Sequence, residues 1–268
     1  MQVAILGAGV SGICMAIKLK QIGIDSFTIF EKSTNLGGTW FDNKYPGCAC
    51  DVPSHFYSYS FELKTDWTRT YSSSKEIREY LEFCAKKYDV FSSIKFNTEI
   101  ESAVFDQNKN MWVLQTTQGE KKLARFLVSG LGQLNSPNIP DIKGKERFVG
   151  KTFHSARWDN EYDLQNKEVA VIGGGNSAVE EALFLTNFAS KVTLIHRRDT
   201  LRAEKILQDR LFKKKNVEIL WNKRVKEFVG TENPKTIEKI ILEDTHNNAE
   251  REIKVSGTFI AIGHDPAT

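Results

Sequence analysis

Two glycine-rich turns, each directly after a short apolar run, constrain this chain more than any other feature. Gly7-Ala8-Gly9-Val10-Ser11-Gly12 follows Val3-Ala4-Ile5-Leu6, and Gly173-Gly174-Gly175-Asn176-Ser177-Ala178 follows Val169-Ala170-Val171-Ile172. Glycines between a strand and a helix permit a tight turn and bring helix N-terminal N–H groups up to a phosphate. Two such turns predict an α/β chain with two Rossmann-like dinucleotide-binding domains. Beyond each turn the chain carries opposite charge. Glu31 ends the strand-like run after the first turn, and His196, Arg197 and Arg198 stand at the matching place after the second. A carboxylate there accepts hydrogen bonds from a ribose diol, whereas arginines there neutralise a 2′-phosphate. The first site therefore reads as one for a non-phosphorylated dinucleotide such as FAD, the second as one for NADPH. That pairing predicts electron transfer.

Within the first turn, Gly7 suits the tight bend, Gly9 the approach of a pyrophosphate, and Gly12 the close packing of helix on strand. Gly173, Gly175, Asn176, Ser177 and Ala178 occupy the corresponding cofactor-facing positions of the second. At 268 residues the chain is long enough for two modest domains, and 40% hydrophobic with 26% charged residues is ordinary for a globular protein. A net charge of +3 gives no argument for nucleic acid or membrane as a partner. Lys213-Lys214-Lys215 reads as a solvated helix end. No stretch approaches the roughly 18 apolar residues of a membrane span. With the first strand beginning almost at Met1, no secretory signal is expected and the cytoplasm is the default location.

The four cysteines, Cys14, Cys48, Cys50 and Cys84, contain no Cys-x-x-Cys, so neither a redox dithiol nor a zinc site has its usual spacing. Cys48-Ala49-Cys50 reads as two reduced thiols in a loop, with a strained disulfide or half a metal site as alternatives. No metal is expected.

Periodicity divides the chain into a first domain over residues 1–150, a linker over 151–166 and a second domain over 167–268. In the first domain, Ile13, Ile17 and Leu19 face inward on a helix whose Lys18 and Lys20 are wet. Lys75 to Tyr88 reads as a helix with Ile77, Tyr80, Leu81 and Cys84 on one face. Ile94 to Leu114 reads as a strand pair turned at Asp106 to Lys109, and Phe126 to Gly132 as a buried strand. Ser136-Pro137 and Ile139-Pro140 mark a linker. The second domain repeats the scheme over Val169 to Ile195, with Val179, Leu183 and Leu185 packing. A helix over Leu201 to Lys214 and a strand at Val217 to Leu220 follow. Next come small antiparallel strands at Val225 to Gly230, Ile237 to Leu242 and Ile253 to Val255, and a last strand at Thr258 to Ile262.

The loop from Gly37 to Phe61 is too long for a mere connection. Its segments Gly37-Gly38-Thr39-Trp40, Tyr45-Pro46-Gly47, Cys50-Asp51-Val52-Pro53-Ser54 and Tyr57-Ser58-Tyr59-Ser60-Phe61 resemble the flavin loop of Baeyer–Villiger monooxygenases. Phe148-Val149-Gly150, His154 and Trp158-Asp159 are similar to that family's fingerprint, and related flavin-containing monooxygenases share the layout. The resemblance covers roughly Met1 to Lys167. It implies FAD held by Gly7 to Gly12 (Ser11 included), Glu31, Gly38, Thr39, Trp40, Asp51 and Tyr57. Asp51 would be the catalytic carboxylate near the reactive face of the flavin, where the family pairs it with an arginine. His154 would belong to an interdomain hinge and carry no proton. Taken without the resemblance, Trp40, Tyr45 and Tyr57 read as core aromatics and His154 as a structural histidine.

The second half is similar to something else. Glu168 to Leu183, Leu194-Ile195-His196-Arg197-Arg198, Arg202-Ala203-Glu204-Lys205-Ile206-Leu207 and Phe259 to Pro266 resemble the NADPH domain of bacterial thioredoxin reductases. The resemblance implies that Arg197, Arg198 and Arg202, with His196 beside them, grip the 2′-phosphate, for which guanidinium forks are suited. As a bare charge cluster they read as a solvated turn. Two departures matter. The reductases' Cys-x-x-Cys is replaced here by Trp158-Asp159-Asn160-Glu161-Tyr162-Asp163-Leu164, and no residue matches the monooxygenases' catalytic arginine. Both families also carry a final flavin-domain segment with a Gly-Asp pair, and this chain stops at Thr268, so a flavin domain lacking that segment is expected.

The leading expectation is an NADPH-dependent FAD oxidoreductase of monooxygenase type, acting on a small-molecule substrate or electron acceptor with molecular oxygen. With the arginine unmatched, uncoupled formation of hydrogen peroxide is an expected outcome. The alternatives are a thioredoxin-reductase-like or ferredoxin-reductase-like enzyme without its dithiol, and a non-catalytic nucleotide-binding fragment or chimera. Related proteins are often dimers, which leaves a homodimer open.

Overall fold

The computed structural model describes residues 1–45, 47–133, 137, 152–159, 161–232 and 235–262. Pro46, Ser136, Ile139-Pro140, Phe148-Val149-Gly150 and Gly263 to Pro266, all named in the sequence reading, lie outside the described residues. The chain forms two compact units. The first comprises Met1–Lys44, Cys48–Pro137 and Ser155–Arg157, and the second Tyr45–Gly47, Asn138–His154 and Trp158–Thr268.

The first unit begins with β1 (Val3–Leu6), α1 (Val10–Gln21) and β2 (Phe27–Phe30), followed by the single turn α2 (Thr39–Asp42) and α3 (Ser74–Lys87). Then come β3 (Ile94–Lys95), a meander of β4 (Ile100–Asp106), β5 (Met111–Thr116) and β6 (Lys121–Ala124), and β7 (Phe126–Ser129). The parallel sheet runs β3-β2-β1-β7, with Val3 opposite both Phe27 and Phe126. All four residues of β1 are buried because both faces of the sheet are covered. Val3, Ile5 and Ile29 pack with Ile13, Ile17 and Leu81 of the helices, while Ala4, Leu6 and Phe30 pack with Leu114 and Ala124 of the meander.

Helix α3 buries Ile77, Tyr80, Leu81 and Cys84 as the spacing predicts, and Ser73 caps it by accepting the Glu76 N–H at 3.3 Å. The expected strand pair from Ile94 needs correction. Ile94–Lys95 pairs in parallel with β2, and Asn97 at φ 53° turns the chain before β4 begins. The third meander strand, β6, was not predicted. The strand at Phe126 is shorter than expected and is not buried: Phe126 is 57% exposed, because β7 pairs with β1 on one side only among the described residues.

The second unit follows the same plan. It contains β8 (Glu168–Gly173), α4 (Asn176–Leu185), β9 (Lys191–Ile195), α5 (Lys205–Phe212) and β10 (Val217–Leu220). A meander of β11 (Lys223–Glu232), β12 (Lys235–Asp244) and β13 (Glu250–Lys254) leads to β14 (Gly257–Ala261). The parallel order β10-β9-β8-β14 again reads third, second, first, last. Val169, Val171 and Leu194 pack with Val179, Ala182, Leu185 and Leu211 on the helical side. Ala170, Ile172, Ile195 and Leu220 pack with Ile237, Ile240, Leu242 and Val255 on the meander side. Leu183 is only half-buried. Helix α5 is shorter than expected because the Arg202 and Ala203 N–H groups are drawn back onto the Gly174 carbonyl instead of starting a helix.

The fold is thus α/β, with two Rossmann-like units built on one plan. Among the described residues no helix is long and apolar enough to cross a membrane.

Candidate functional site

In the first unit the glycines divide by what demands them. A Cβ on Gly7, which has φ 94°, would lie 2.6 Å from the Gly130 carbonyl oxygen, and one on Gly12 would run into the Gly7 carbonyl. Chain packing alone fixes both. Around Gly9 the nearest atom to such a Cβ would be the Gly38 Cα, at an ordinary 3.6 Å, so protein packing does not require glycine there. Gly38 (φ 54°) faces it across the same gap, held there by the Gly37 N–H bond to the Ala8 carbonyl. The result is a cradle that side chains at either position would narrow. Helix α1 opens onto it with no side-chain cap and no acidic residue in its first turn, which leaves its N–H groups for an anion. Such a cradle fits a diphosphate.

Glu31, at the end of β2, is 5% exposed. Its Oε2 accepts the Ala8 N–H at 2.7 Å and its Oε1 the Ser33 N–H at 2.8 Å. The carboxylate therefore clasps the glycine turn, and each oxygen keeps a lone pair for a ribose hydroxyl. Ser11 is exposed in the first turn of α1, and Thr39 and Trp40 lie half-buried in α2. The Trp40 and Tyr57 rings meet edge to face with centroids 5.2 Å apart. Asp51 is exposed close by. Burial pushes the Tyr57 phenol up to about 12, with the charges of Asp51 and Cys50 adding to it, so Tyr57 is a hydrogen-bond donor at neutral pH.

The loop between is sewn to residues 69–73 in a way the sequence did not reveal. Cys50 N–H donates to the Ser72 carbonyl and Ser54 N–H to that of Thr70, while the buried Ser54 hydroxyl accepts the Ser72 N–H at 2.8 Å. Ala49 bridges Ser73 in antiparallel fashion. Alternate Cβ atoms of such an extended segment stand roughly 6.6 Å apart, well beyond the roughly 3.8 Å a disulfide spans. Cys48 and Cys50 are accordingly buried thiols outside any disulfide. Sequence reasoning also missed Asp42, at the end of α2, whose carboxylate lies 3.7 Å from Arg157. Burial raises its pKa above the usual carboxylate range, the nearby Arg157 charge offsetting only part of the rise.

The second unit repeats the cradle with other contents. A Cβ on Gly173 would strike the Ala261 carbonyl and the Ala178 methyl, and one on Gly175 would meet nothing within 4 Å. Gly175 therefore leaves open space before α4, whose first turn likewise lacks a side-chain cap and an acid. Asn176 is half-buried, its Oδ1 accepting the Glu204 N–H at 2.8 Å, while Ser177 is exposed. Arg197, Arg198 and Arg202 are all exposed, and among the described residues none enters an ion pair. A backbone bond holds Arg202 beside the turn, its N–H donating to the Gly174 carbonyl at 2.7 Å, while the Arg198 carbonyl accepts the N–H of Asn222, between β10 and β11, at 3.2 Å. Three unpaired guanidinium groups next to an open glycine turn suit a phosphate monoester.

His196 does not stand with them. It is 5% exposed, and its Nε2 donates to the Thr200 carbonyl at 2.9 Å. Burial lowers its pKa, with the charges of Arg198 and Arg202 adding to the fall, and this outweighs the hydrogen bonds to the Thr200 and Gly173 backbone that favour the charged ring. Trp158 stacks on Phe259 of β14 at 5.5 Å and meets Phe153 edge to face, which makes it a packing aromatic of the second unit. His154 is half-buried. Another group missed in the sequence is Glu181 on α4. It sits among Trp158, Phe184, Leu185 and Phe259, and burial, with Glu180 beside it, pushes its carboxyl up to about 7. Among the described residues no His, Cys, Asp and Glu group is arranged to hold a metal ion.

Comparison with known proteins agrees with this architecture. A Baeyer-Villiger monooxygenase of Pseudomonas aeruginosa is 50% identical over 179 residues, 67% of this chain and 34% of the relative. One from Streptomyces coelicolor is 41% identical over 196 residues, 73% of this chain and 38% of the relative. The crystal structure of cyclohexanone monooxygenase from Rhodococcus sp. Phi1 bound to NADP+ is 34% identical. It matches with a TM-score of 0.68 over 74% of this chain and 38% of its own. An open crystal structure of cyclohexanone monooxygenase covers 99% of this chain and 73% of its own with a TM-score of 0.81, a likeness of fold alone at 19% identity. The chain spans between a third and two fifths of the curated relatives it matches. The family model of the pyridine nucleotide-disulphide oxidoreductases matches residues 1–268, and the chain belongs to that family.

Proposed function

We propose that this chain is an FAD- and NADPH-dependent oxidoreductase of monooxygenase type. Its first domain (residues 1–150) takes FAD, its second (167–268) takes NADPH, and residues 151–166 join them. The observation that carries the reading is the repeated cradle with opposite charge, Glu31 beside one and Arg197, Arg198 and Arg202 beside the other. The names of the relatives support the choice of monooxygenase over other members of the family.

In this reading Gly7, Gly9 and Gly12 shape the first turn, and Gly9, Ser11 and Gly38 flank the diphosphate at the start of α1. Glu31 takes the ribose diol with its remaining lone pairs. Thr39, Trp40 and Tyr57 line the loop over the flavin, and Tyr57, held protonated, donates rather than accepts. Asp51 is the catalytic carboxylate, its charge facing the reacting end. In the second unit Gly173, Gly175, Asn176, Ser177 and Ala178 form the turn that receives the NADPH diphosphate. Arg197, Arg198 and Arg202 neutralise the 2′-phosphate, with His196 beneath them. Bound FAD supplies hydride acceptance from NADPH and reaction with molecular oxygen. A small carbonyl compound is the substrate class, and uncoupled release of hydrogen peroxide is the competing outcome. The protein would work in the cytoplasm, without nucleic acid or membrane, as monomer or homodimer.

Stoichiometry tests this reading. With FAD, NADPH and a cyclic ketone in air, ester formation matching NADPH consumption supports coupled monooxygenation, and peroxide matching it supports the uncoupled form. Neither product, with rapid anaerobic reduction of a quinone or ferredoxin, favours the reductase reading. That reading needs an external acceptor, since the chain has no Cys-x-x-Cys.

A further inference from the structure

The two units follow one plan, and that plan pairs Glu31 with His196. Leu6 lies opposite Phe30 and Ile172 opposite Ile195, and each candidate is the next residue after its strand. The turns align as Gly7-Ala8-Gly9 with Gly173-Gly174-Gly175. In the first unit the Ala8 N–H donates to the Glu31 carboxylate at 2.7 Å, and the Ala8 methyl is buried. In the second the Ala8 position is Gly174, and the His196 ring fills the space of the missing methyl. A Cβ on Gly174 would lie 2.8 Å from Nε2 and closer still to Cε1 and Nδ1. The ring is anchored by Nε2 donating to the Thr200 carbonyl at 2.9 Å, and the Gly174 carbonyl is held by the Arg202 and Ala203 N–H groups.

We infer that His196 is a specificity-determining positioning residue rather than a phosphate ligand. Its uncharged ring takes the place of the carboxylate against the glycine turn. The turn stays clasped, yet the residue in the Glu31 position brings no carboxylate to oppose a 2′-phosphate. Gly174 is then glycine because of the ring, since its φ lies outside the left-handed region and the three atoms nearest its missing Cβ all belong to the ring. The clasp also ties specificity to position: Thr200, which anchors the ring, lies between Arg198 and Arg202 in the chain. The role in choosing a dinucleotide rests on the proposal that the second unit binds NADPH, whereas the clasp itself does not.

Two measurements test it. The first is thermal unfolding of the unliganded protein. Gly174→Ala lowers the midpoint by forcing a methyl into the ring, and adding His196→Glu recovers much of the loss by rebuilding the Ala8–Glu31 arrangement. Such non-additivity is the signature of direct contact. The second is the dissociation constants of NADP+ and NAD+ by calorimetry. His196→Glu reduces the preference for NADP+ roughly ten- to a hundred-fold, the worth of one charge-assisted hydrogen bond gained or opposed. His196→Asn, uncharged, keeps the preference even though it weakens the clasp. Additive effects of Gly174→Ala and His196→Glu would overturn the clasp. An unchanged NADP+ to NAD+ ratio in His196→Glu would overturn the specificity role. A wild-type protein that binds neither dinucleotide also removes that role, and with it the proposed function of the second unit, while the unfolding result still decides the clasp.

Discussion

Replacing Glu31 by Gln changes almost no volume and removes one specific thing. Two backbone N–H groups, of Ala8 at 2.7 Å and Ser33 at 2.8 Å, converge on the two oxygens of a side chain that is 5% exposed. A glutamine offers one oxygen and one NH2, so one N–H donor must face another donor in a buried place. Losing that charge-assisted bond and leaving the donor unpaired costs about 1–3 kcal/mol. For a domain of this size each kcal/mol moves the unfolding midpoint by about 2–4 °C, which predicts a fall of about 2–12 °C. Differential scanning calorimetry of the unliganded protein measures the fall, and hydrogen exchange locates it as lost protection at the Ala8 or Ser33 amide. Unchanged midpoint and unchanged protection in Glu31→Gln would refute the claim that Glu31 holds the turn. FAD affinity then reads the second role, since the amide also presents fewer acceptors to a ribose diol.

Arg197→Ala with Arg198→Ala selectively weakens NADP+ relative to NAD+ in equilibrium binding, and equal loss for both dinucleotides contradicts a 2′-phosphate site. Gly12→Ala drives a methyl into the Gly7 carbonyl, which predicts loss of several kcal/mol and of flavin affinity, read by denaturant unfolding and FAD titration. Glu181 has a folded pKa raised to about 7 from 4.5. Its neutral form favours the fold below the unfolded pKa, and that contribution is lost as pH rises through the folded value. Glu181→Gln should therefore raise the unfolding midpoint relative to the wild type at about pH 8 and leave it nearly unchanged at about pH 4. The opposite ordering would contradict the assignment.

What could be read from the sequence was mostly local. Each glycine turn announces itself because strand, turn and helix are contiguous, and the all-apolar runs Val3 to Leu6 and Val169 to Ile172 told of a sheet covered on both faces. Helix α3 was legible from its apolar spacing. Strand β6 was not, since Lys121 to Ala124 has little apolar character and exists by pairing with β5. Ile94–Lys95 is two residues long and is a strand only because β2 lies beside it. The site shows the same division. Glu31 and the arginines follow from fixed offsets beyond the turns, whereas the direction of the His196 ring depends on Thr200 and Gly174 together. The Ser54–Ser72 junction, the Asp42–Arg157 pair and the burial of Glu181 arise between segments with no shared sequence period, and only packing reveals them.

The central claim is that the two cradles hold different dinucleotides and exchange electrons. The most direct measurement is an anaerobic absorbance titration: FAD is added to the purified protein, unbound flavin is removed, and NADPH and NADH are then added separately. The account predicts retained flavin absorbance that bleaches with NADPH at far lower concentration than with NADH. Flavin that washes away, or that bleaches equally with both nucleotides, would contradict it.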